Sequence, residues 1–230
     1  MAGATAIAKG MPTQLALALG HAESLSRDDF LAGPPNAAAL ALIERWPDWP
    51  SRTVLLCGPE GSGKSHLAAI WAQQTGARML SLRALEGSVV PGALATGALV
   101  VENLAEGRFD EPALFHLLNL AREERAYVLI TARIAPAAWR VELPDLTSRL
   151  RALPVVTLAA PDDALLRAVI VKLFADRQLA VDESLVSFLA NRIERSFAAA
   201  RAAVALLDRE ALRLHRPVTR ALAVELFREA

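Results

Sequence analysis

The residues best suited to chemistry stand between a short apolar run and a helix-like run, in the segment GPEGSGKS. Glycines let consecutive backbone N–H groups turn inward around an anion, a lysine ammonium neutralises outer phosphate charge, and a serine hydroxyl is a ligand for Mg²⁺. A helix that starts there directs its positive end toward the same anion. The pattern predicts a nucleotide-binding phosphate loop formed by Gly58, Pro59, Glu60, Gly61, Ser62, Gly63, Lys64, Ser65 and His66.

A second polar position follows another apolar run, GALVVENL, at Glu102. In phosphate-loop enzymes an acid at the end of another strand holds Mg²⁺, and a second acid usually positions the attacking water. Glu102 is longer than the usual aspartate by one C–C bond, about 1.5 Å, and Asn103 cannot act as a carboxylate base. Misplacing a catalytic group by about 1 Å can cost about 100-fold in rate. The sequence therefore predicts nucleotide binding with Mg²⁺ at Ser65 and Glu102, but impaired hydrolysis.

Composition limits the classes of partner. The 230 residues carry 25 lysines and arginines against 25 aspartates and glutamates, so no overall field favours nucleic acid or an anionic membrane. Lys9, Lys64 and Lys172 are the only lysines, which makes a lysine inside a glycine-rich loop informative. A single cysteine, Cys57, excludes an internal disulfide framework, and no apolar run approaches membrane-spanning length. We expect a cytoplasmic protein with no membrane span and no sequence-specific DNA binding of its own.

Short apolar runs alternate with amphipathic helical stretches through the middle of the chain. The runs with strand character are TVLLC, RMLSL, ALVVE, YVLIT and PVVTL, and we expect them to be buried on both faces, as parallel strands usually are. Later no strand signal remains, and apolar residues repeat at helical spacing behind the capping residues Asp182, Ser196 and Thr219. The pattern predicts an N-terminal arm over residues 1–29, an α/β domain with a parallel sheet over 30–160, and a small all-helical domain over 161–230.

In this order the motifs resemble the AAA+ core of the bacterial replication initiator DnaA and, more closely, the Hda-type DnaA-related regulators, over most of the chain. The resemblance implies an AAA+ P-loop domain with a helical lid, which binds ADP or ATP with Mg²⁺. DFLAGPPNAAALALI is similar to the family segment beside the adenine, which assigns Leu31 to the base. VLITARIAP resembles the strand that carries the sensor 1 residue, here Thr131, without the Asp-Arg pair that usually follows.

Two arginines gain a role from the same resemblance. LPDLTSRL is similar to the family segment whose arginine reaches a neighbouring subunit's nucleotide, which is Arg149 here. NRIERSFAAARAAVALL resembles the lid helix that carries sensor 2, here Arg195. As isolated residues, both would be read as solvated surface charges.

The arm contains a candidate partner-binding motif, QLALAL. In an extended chain Leu15, Leu17 and Leu19 share one face, and Gln14 is free to hydrogen-bond. In Hda-type regulators a similar hexapeptide docks into the hydrophobic cleft of the DNA polymerase III sliding clamp (beta subunit), so the resemblance implies clamp binding through these four residues. Alanines stand where such motifs often carry proline, and the other interpretation is a short strand or loop packed on the domain.

Several functions remain open at this point. The resemblance implies a clamp-tethered inhibitor of replication initiation that presents Arg149 to ATP bound on DnaA; unlike the initiator, the sequence leaves no room after the lid for a helix-turn-helix domain. The alternative is a self-sufficient AAA+ ATPase, such as a helicase or clamp loader, against which Asn103 argues. A third interpretation is a clamp-binding adaptor whose nucleotide is structural. Whether ADP or ATP is bound, and whether copies of the chain form a homo-oligomer, also stays open.

Overall fold

The structure, a computed structural model, describes residues 25–104 and 109–228 of the chain. The predicted clamp-binding residues lie outside these ranges: Gln14, Leu15, Leu17 and Leu19. The strands are β1 (Thr53–Cys57), β2 (Arg78–Ser81), β3 (Ala98–Leu104), β4 (Tyr127–Ala132) and β5 (Val155–Thr157). The α-helices are α1 (Ala37–Glu44), α2 (Lys64–Thr75), α3 (Val90–Ala93), α4 (Glu111–Glu123), α5 (Pro144–Arg151), α6 (Asp163–Asp176), α7 (Glu183–Arg192), α8 (Phe197–Leu214) and α9 (Arg220–Leu226).

The strands form one parallel sheet in the order β2-β3-β4-β1-β5. Successive residues of the central strands point to opposite faces and join two separate apolar clusters. On β1, Leu55 belongs to the cluster with α3, α4 and α5, whereas Val54 and Leu56 belong to the cluster with α1 and α2. Helices therefore cover both faces, and the predicted α/β architecture with a parallel sheet is confirmed.

The edge strands correct one expectation from the sequence, that every strand is buried on both faces. In β2, Arg78, Met79 and Ser81 are exposed, and Met79 keeps 45% of its surface accessible. Val155 of β5 keeps 40%. Because an edge strand has a neighbour on one side only, the layers that cover the centre of the sheet leave it partly open to solvent.

The helices after β5 pack around an apolar core of their own, in which Leu166 and Leu207 are fully buried. The predicted capping residues Asp182, Ser196 and Thr219 are the N-caps of α7, α8 and α9, and the side chain of each accepts a backbone N–H three residues further on. The predicted helical lid is thereby confirmed. Within the described ranges, no helix is long and apolar enough to cross a membrane.

Candidate nucleotide-binding site

The predicted phosphate loop connects the buried strand β1 to helix α2. Gly61 adopts φ +69°, a backbone conformation that residues with a Cβ rarely take. At Gly58 the constraint is space, because a Cβ there would lie 2.4 Å from the Leu158 carbonyl oxygen. The N-cap of α2 is Gly63, which offers no side chain to the first N–H groups of the helix. These groups are left for an anion, as phosphate-binding helices require.

Lys64 and Ser62 turn polar groups toward this loop. The Lys64 side chain is only 8% exposed, and its Nζ donates to the carbonyl oxygens of Gly58 and Pro59, both at 2.7 Å. Ser62 is buried, and among the described residues its Oγ has no hydrogen-bond partner. A buried hydroxyl without a partner is costly, so it fits a site that receives a polar ligand. Ser65, the second residue of α2, is exposed.

The lid touches the phosphate loop directly at the start of α8. The backbone N–H of Phe197 donates to the carbonyl oxygen of Gly61 at 2.9 Å. A Cβ on Gly61 would lie 2.8 Å from Cβ of Ser196, so the loop and the lid fit together only because a glycine stands there. The two domains therefore meet at the loop, and movement of the lid would change its surroundings.

A β-bulge lies where the sequence predicts the Mg²⁺-binding acid. The pairing of β3 with β4 shifts register between Val101 and Leu104, so that Glu102 and Asn103 stand opposite Thr131. Asn103 takes φ +60°, and its N–H donates to Oγ1 of the buried Thr131 at 3.2 Å. Bulges redirect side chains next to functional sites. Here the bulge ties the predicted sensor 1 residue to the strand end that carries Glu102.

A cavity of about 320 Å³ opens beside the loop, between the two domains. The sequence assigned Leu31 and His66 to the nucleotide, and both line this cavity together with Gly63. Its apolar walls also come from the lid, and its polar lining combines acids with lysine and arginine: Asp29, Lys172, Asp176, Arg177 and Arg201. This combination of apolar walls and a few polar groups is typical of a small-molecule site.

The turn before α1 fixes the wall that Leu31 forms. Asn36 is almost fully buried, its Nδ2 donates to the Leu31 carbonyl at 3.0 Å, and its Oδ1 accepts the Gly33 N–H at 2.9 Å. Sequence reasoning named Leu31 but missed Asn36. The available signal was its place after Pro34-Pro35, where an asparagine side chain commonly bonds to the backbone of its own turn.

Burial and charge act on two titratable groups of the cavity. Burial lowers the pKa of His66; nearby Arg201 and Lys172 act in the same direction, against a hydrogen bond to the Ser26 carbonyl at 2.9 Å. For Lys172, burial acts to lower the pKa, but hydrogen bonds and attraction from Asp176 and Asp29 together raise it. Lys172 lies 2.7 Å from Asp29, so this ion pair joins lid helix α6 to the segment before α1.

The two predicted arginines lie in different surroundings. Arg195 lies in the turn before α8, its side chain is 63% exposed, and it pairs with Asp163 at 2.9 Å. Arg201, on α8 itself, lines the cavity beside the phosphate loop, whereas Arg195 does not. Arg149 is half-buried on α5, with its guanidinium carbon 5.1 Å from the ring centre of Phe115.

Sequence reasoning also missed Lys172 and Arg201 as cavity residues. Lysine is so rare in this chain that the argument for Lys64 applied equally to Lys172. Arg201 is one of many arginines, and only the orientation of α8 brings it to the cavity.

These residues fit an adenine nucleotide with Mg²⁺. The loop offers an unpartnered Ser62 hydroxyl, uncapped N–H groups at the start of α2 and the Lys64 ammonium to phosphates. The adjoining cavity has room for a base. Mg²⁺ usually takes one or two protein ligands and leaves the rest to phosphates and water. The sequence predicts two such ligands, Ser65 and Glu102.

Comparison with known proteins gives a fold. No protein-family model and no curated protein matches the sequence. Domain III of DnaA from Thermotoga maritima is similar at TM-score 0.72 and 18% identity, over 89% of this chain and 96% of that one. AMPPCP-bound DnaA from Aquifex aeolicus is similar at TM-score 0.65 and 15% identity, over 81% of this chain and 65% of that one.

A second kind of protein has the same architecture. The RuvB Holliday junction branch migration motor of Thermotoga maritima is similar at TM-score 0.70 and 16% identity, over 88% of this chain and 70% of that one. Likeness at such low identity concerns architecture and not activity. The fold is that of AAA+ proteins, a P-loop parallel-sheet domain followed by a small helical lid.

Proposed function

We propose that this chain is a nucleotide-bound AAA+ regulator of replication initiation, which stimulates hydrolysis of ATP held by a DnaA initiator. One observation carries the proposal, the combination of an intact phosphate cradle with a poor hydrolytic centre. Lys64 and the loop are arranged to hold phosphates, whereas Asn103, in the bulge beside Glu102, has no carboxylate. Such a site would retain its nucleotide and contribute little turnover of its own.

The nucleotide would occupy the loop and the adjoining cavity. Its phosphates would contact Lys64 and the N–H groups of α2, and its base would lie against Leu31 and His66. Mg²⁺, when bound through Ser65 and Glu102, would neutralise phosphate charge. The likeness to a DnaA bound to AMPPCP supports an adenine nucleotide. Arg201 is better placed than Arg195 to contact the bound nucleotide, because Arg201 lines the cavity and Arg195 pairs with Asp163 outside it.

Arg149 would act on the partner's nucleotide. An arginine finger supplied in trans stabilises charge on the transferring phosphoryl group and raises NTP hydrolysis by about 10³–10⁵-fold. Arg149 is half-buried and its guanidinium lies over the Phe115 ring, so the residue remains partly accessible to a second protein. Converting DnaA-bound ATP to ADP would lower the supply of the active initiator. The arm, through Gln14, Leu15, Leu17 and Leu19, would tether this activity to the sliding clamp.

The experiment is a turnover assay of ATP preloaded on DnaA, with clamp-loaded DNA and either the parent protein or Arg149→Ala. Arg149→Ala should keep its fold, ADP binding and clamp binding, yet lose stimulation. Arg149→Lys should recover little, because a compact ammonium does not spread charge over several phosphate oxygens as a planar guanidinium does. Arg140→Ala, a nearby exposed arginine, is the matched control. Undiminished stimulation by Arg149→Ala would refute the mechanism.

The likeness to RuvB keeps a self-sufficient AAA+ ATPase as the second candidate. The purified protein alone would then release phosphate from ATP, and clamp-loaded DNA would change that rate. The regulator would show little release under either condition. A clamp-binding adaptor with a purely structural nucleotide would bind the clamp, and Arg149→Ala would not change the hydrolysis of DnaA-bound ATP.

A further inference from the structure

Helix α5, which carries Arg149, is held in place by the neighbouring helix α4. The Glu111 carboxylate, in the first turn of α4, accepts the backbone N–H of Glu142 at 3.0 Å and that of Leu143 at 2.9 Å. These N–H groups come directly before α5, so the carboxylate fixes the entry of the chain into this helix and compensates the positive end of its dipole.

The same α4 surface supports the guanidinium. Phe115 lies four residues after Glu111, one helical turn along the same side of α4. Its ring centre is 5.1 Å from the guanidinium carbon of Arg149, within the range of a cation–π contact. Glu111 therefore acts on the backbone of α5, and Phe115 acts on its arginine.

The backbone anchors alone do not fix the guanidinium. Leu146 and Leu150 are buried in the sheet cluster at 0% and 1% exposure and hold α5 against the domain. Arg149 lies on a long side chain with many rotamers, and ordering it costs entropy when the guanidinium engages the transferring phosphoryl group. A ring that already holds the guanidinium removes part of this cost.

We propose that Phe115, supported by Glu111, is a positioning residue for Arg149, and that its ring holds the guanidinium in the orientation that meets a partner's phosphates. The proposal rests on the trans activity proposed above for Arg149. Arg149 as a whole is only half-buried, so its contact with the ring does not enclose the residue. Its planar N–H groups lie at the edge of the cation, so they can donate to phosphate while one face stays on the ring.

The test compares Phe115→Leu with Phe115→Tyr in the DnaA-bound ATP assay. Leucine keeps apolar bulk but has no π face, whereas tyrosine keeps the ring. For Phe115→Leu we expect a maximal rate about tenfold lower. Loss of a half-exposed cation–π contact alone would lower the rate a few-fold. Misplacement of a catalytic group by about 1 Å would lower it roughly hundredfold, so the expected value lies between the two. The concentration of this protein at half-maximal stimulation should not change, and Phe115→Tyr should match the parent.

Three further variants separate positioning from general damage. Phe188→Leu makes the same change at a half-buried phenylalanine of lid helix α7 and should leave the rate unchanged. Glu111→Gln loosens only the entry to α5 and should lower the rate about threefold, since a neutral amide accepts these hydrogen bonds less strongly. Arg149→Ala sets the floor of the assay, the rate without stimulation, against which these losses are measured.

The outcomes distinguish the two proposals. If Arg149→Ala abolishes stimulation but neither Phe115→Leu nor Glu111→Gln lowers it, the positioning role is overturned and the trans activity stands. A higher rate for Phe115→Leu also overturns it, because the ring would then restrain the arginine away from its target. If Arg149→Ala itself has no effect, the proposed function fails first. Should Phe115→Leu not fold, Glu111→Gln decides the question, because a parent-like rate for that variant would overturn the positioning role.

Discussion

At the scale of single residues, Lys64 is a buried side chain that carries a charge. Its ammonium is held over the loop by two carbonyl oxygens, so its charge stands at a fixed place next to the phosphates. Lys64→Ala should weaken ADP binding by at least about tenfold, or about 1.4 kcal/mol. Isothermal titration calorimetry measures this, with the exposed Arg83→Ala as a control. Equal affinity of Lys64→Ala and the parent would contradict the assignment of the phosphate cradle.

His66 gives a prediction about pH. Its pKa is lowered in the folded protein, chiefly by burial, so below the unfolded value of about 6.5 the unfolded chain binds more protons than the folded one. The contribution of His66 to stability is therefore fully present above about pH 6.5 and is lost as the pH falls below it. Between pH 7.5 and 5.5, the fall in Tm should be smaller for His66→Gln than for the parent.

Glutamine is chosen because its amide nitrogen can still donate to the Ser26 carbonyl that His66 contacts. His116→Gln makes the same substitution at an exposed histidine on α4 and supplies the matched control. A parent-like slope for His66→Gln would show that the buried imidazole does not carry this pH dependence.

The sequence predicted motifs whose residues are contiguous, but it did not predict contacts between residues that are distant in the chain. The loop from Gly58 to Ser65 is contiguous, and its chemistry follows from local backbone geometry. The ion pair of Lys172 with Asp29 joins residues 143 positions apart. Only the packing of the lid on the α/β domain creates that contact, and no local pattern predicts it.

At the scale of elements, the β-bulge at the end of β3 makes a specific demand on backbone conformation. Asn103 sits at φ +60°, which glycine accepts freely, asparagine tolerates, and a β-branched residue resists. Asn103→Gly should keep the Tm near that of the parent, whereas Asn103→Val should cost about 1–2 kcal/mol of stability. Denaturant unfolding measures both. A valine variant as stable as the glycine variant would contradict the left-handed conformation at this position.

Strands and helices were predicted because their periods are local, whereas their exposure depends on neighbours. The run RMLSL has the composition of a buried strand, yet β2 lies at the edge of the sheet. Strand order is set by crossover connections and not by composition. The bulge also escaped prediction, because neither Glu102 nor Asn103 marks a bulge as a glycine in a strand would.

At the scale of the whole molecule, the arm should be separable from the folded domains. Replacing Gln14, Leu17 and Leu19 together by alanine removes one polar and two apolar anchors, and each leucine is worth roughly 1.5–3 kcal/mol if fully buried by the clamp. Surface plasmon resonance should show loss of clamp binding, while Tm and ADP affinity stay unchanged. If the triple variant unfolds instead, the motif is part of the core.

A second triple variant in the same arm, with Ile7, Met11 and Thr13 replaced by alanine, provides the control. It removes a comparable amount of side chain outside the hexapeptide and should bind the clamp as the parent does. Equal loss in both triple variants would mean that the arm binds through its general composition and not through the motif.

The cavity between the two domains has a consequence for how the protein responds to heat. The sheet and the lid each bury a separate apolar core, and the walls of the cavity come from both. A ligand in the cavity would contact both cores at once and stabilise their association by about 2.7 kcal/mol at 100 times its Kd. Without ligand, calorimetry should record one broad melting transition, because either core can loosen before the other. With saturating ADP the transition should become sharper, so that cooperativity itself reports occupancy.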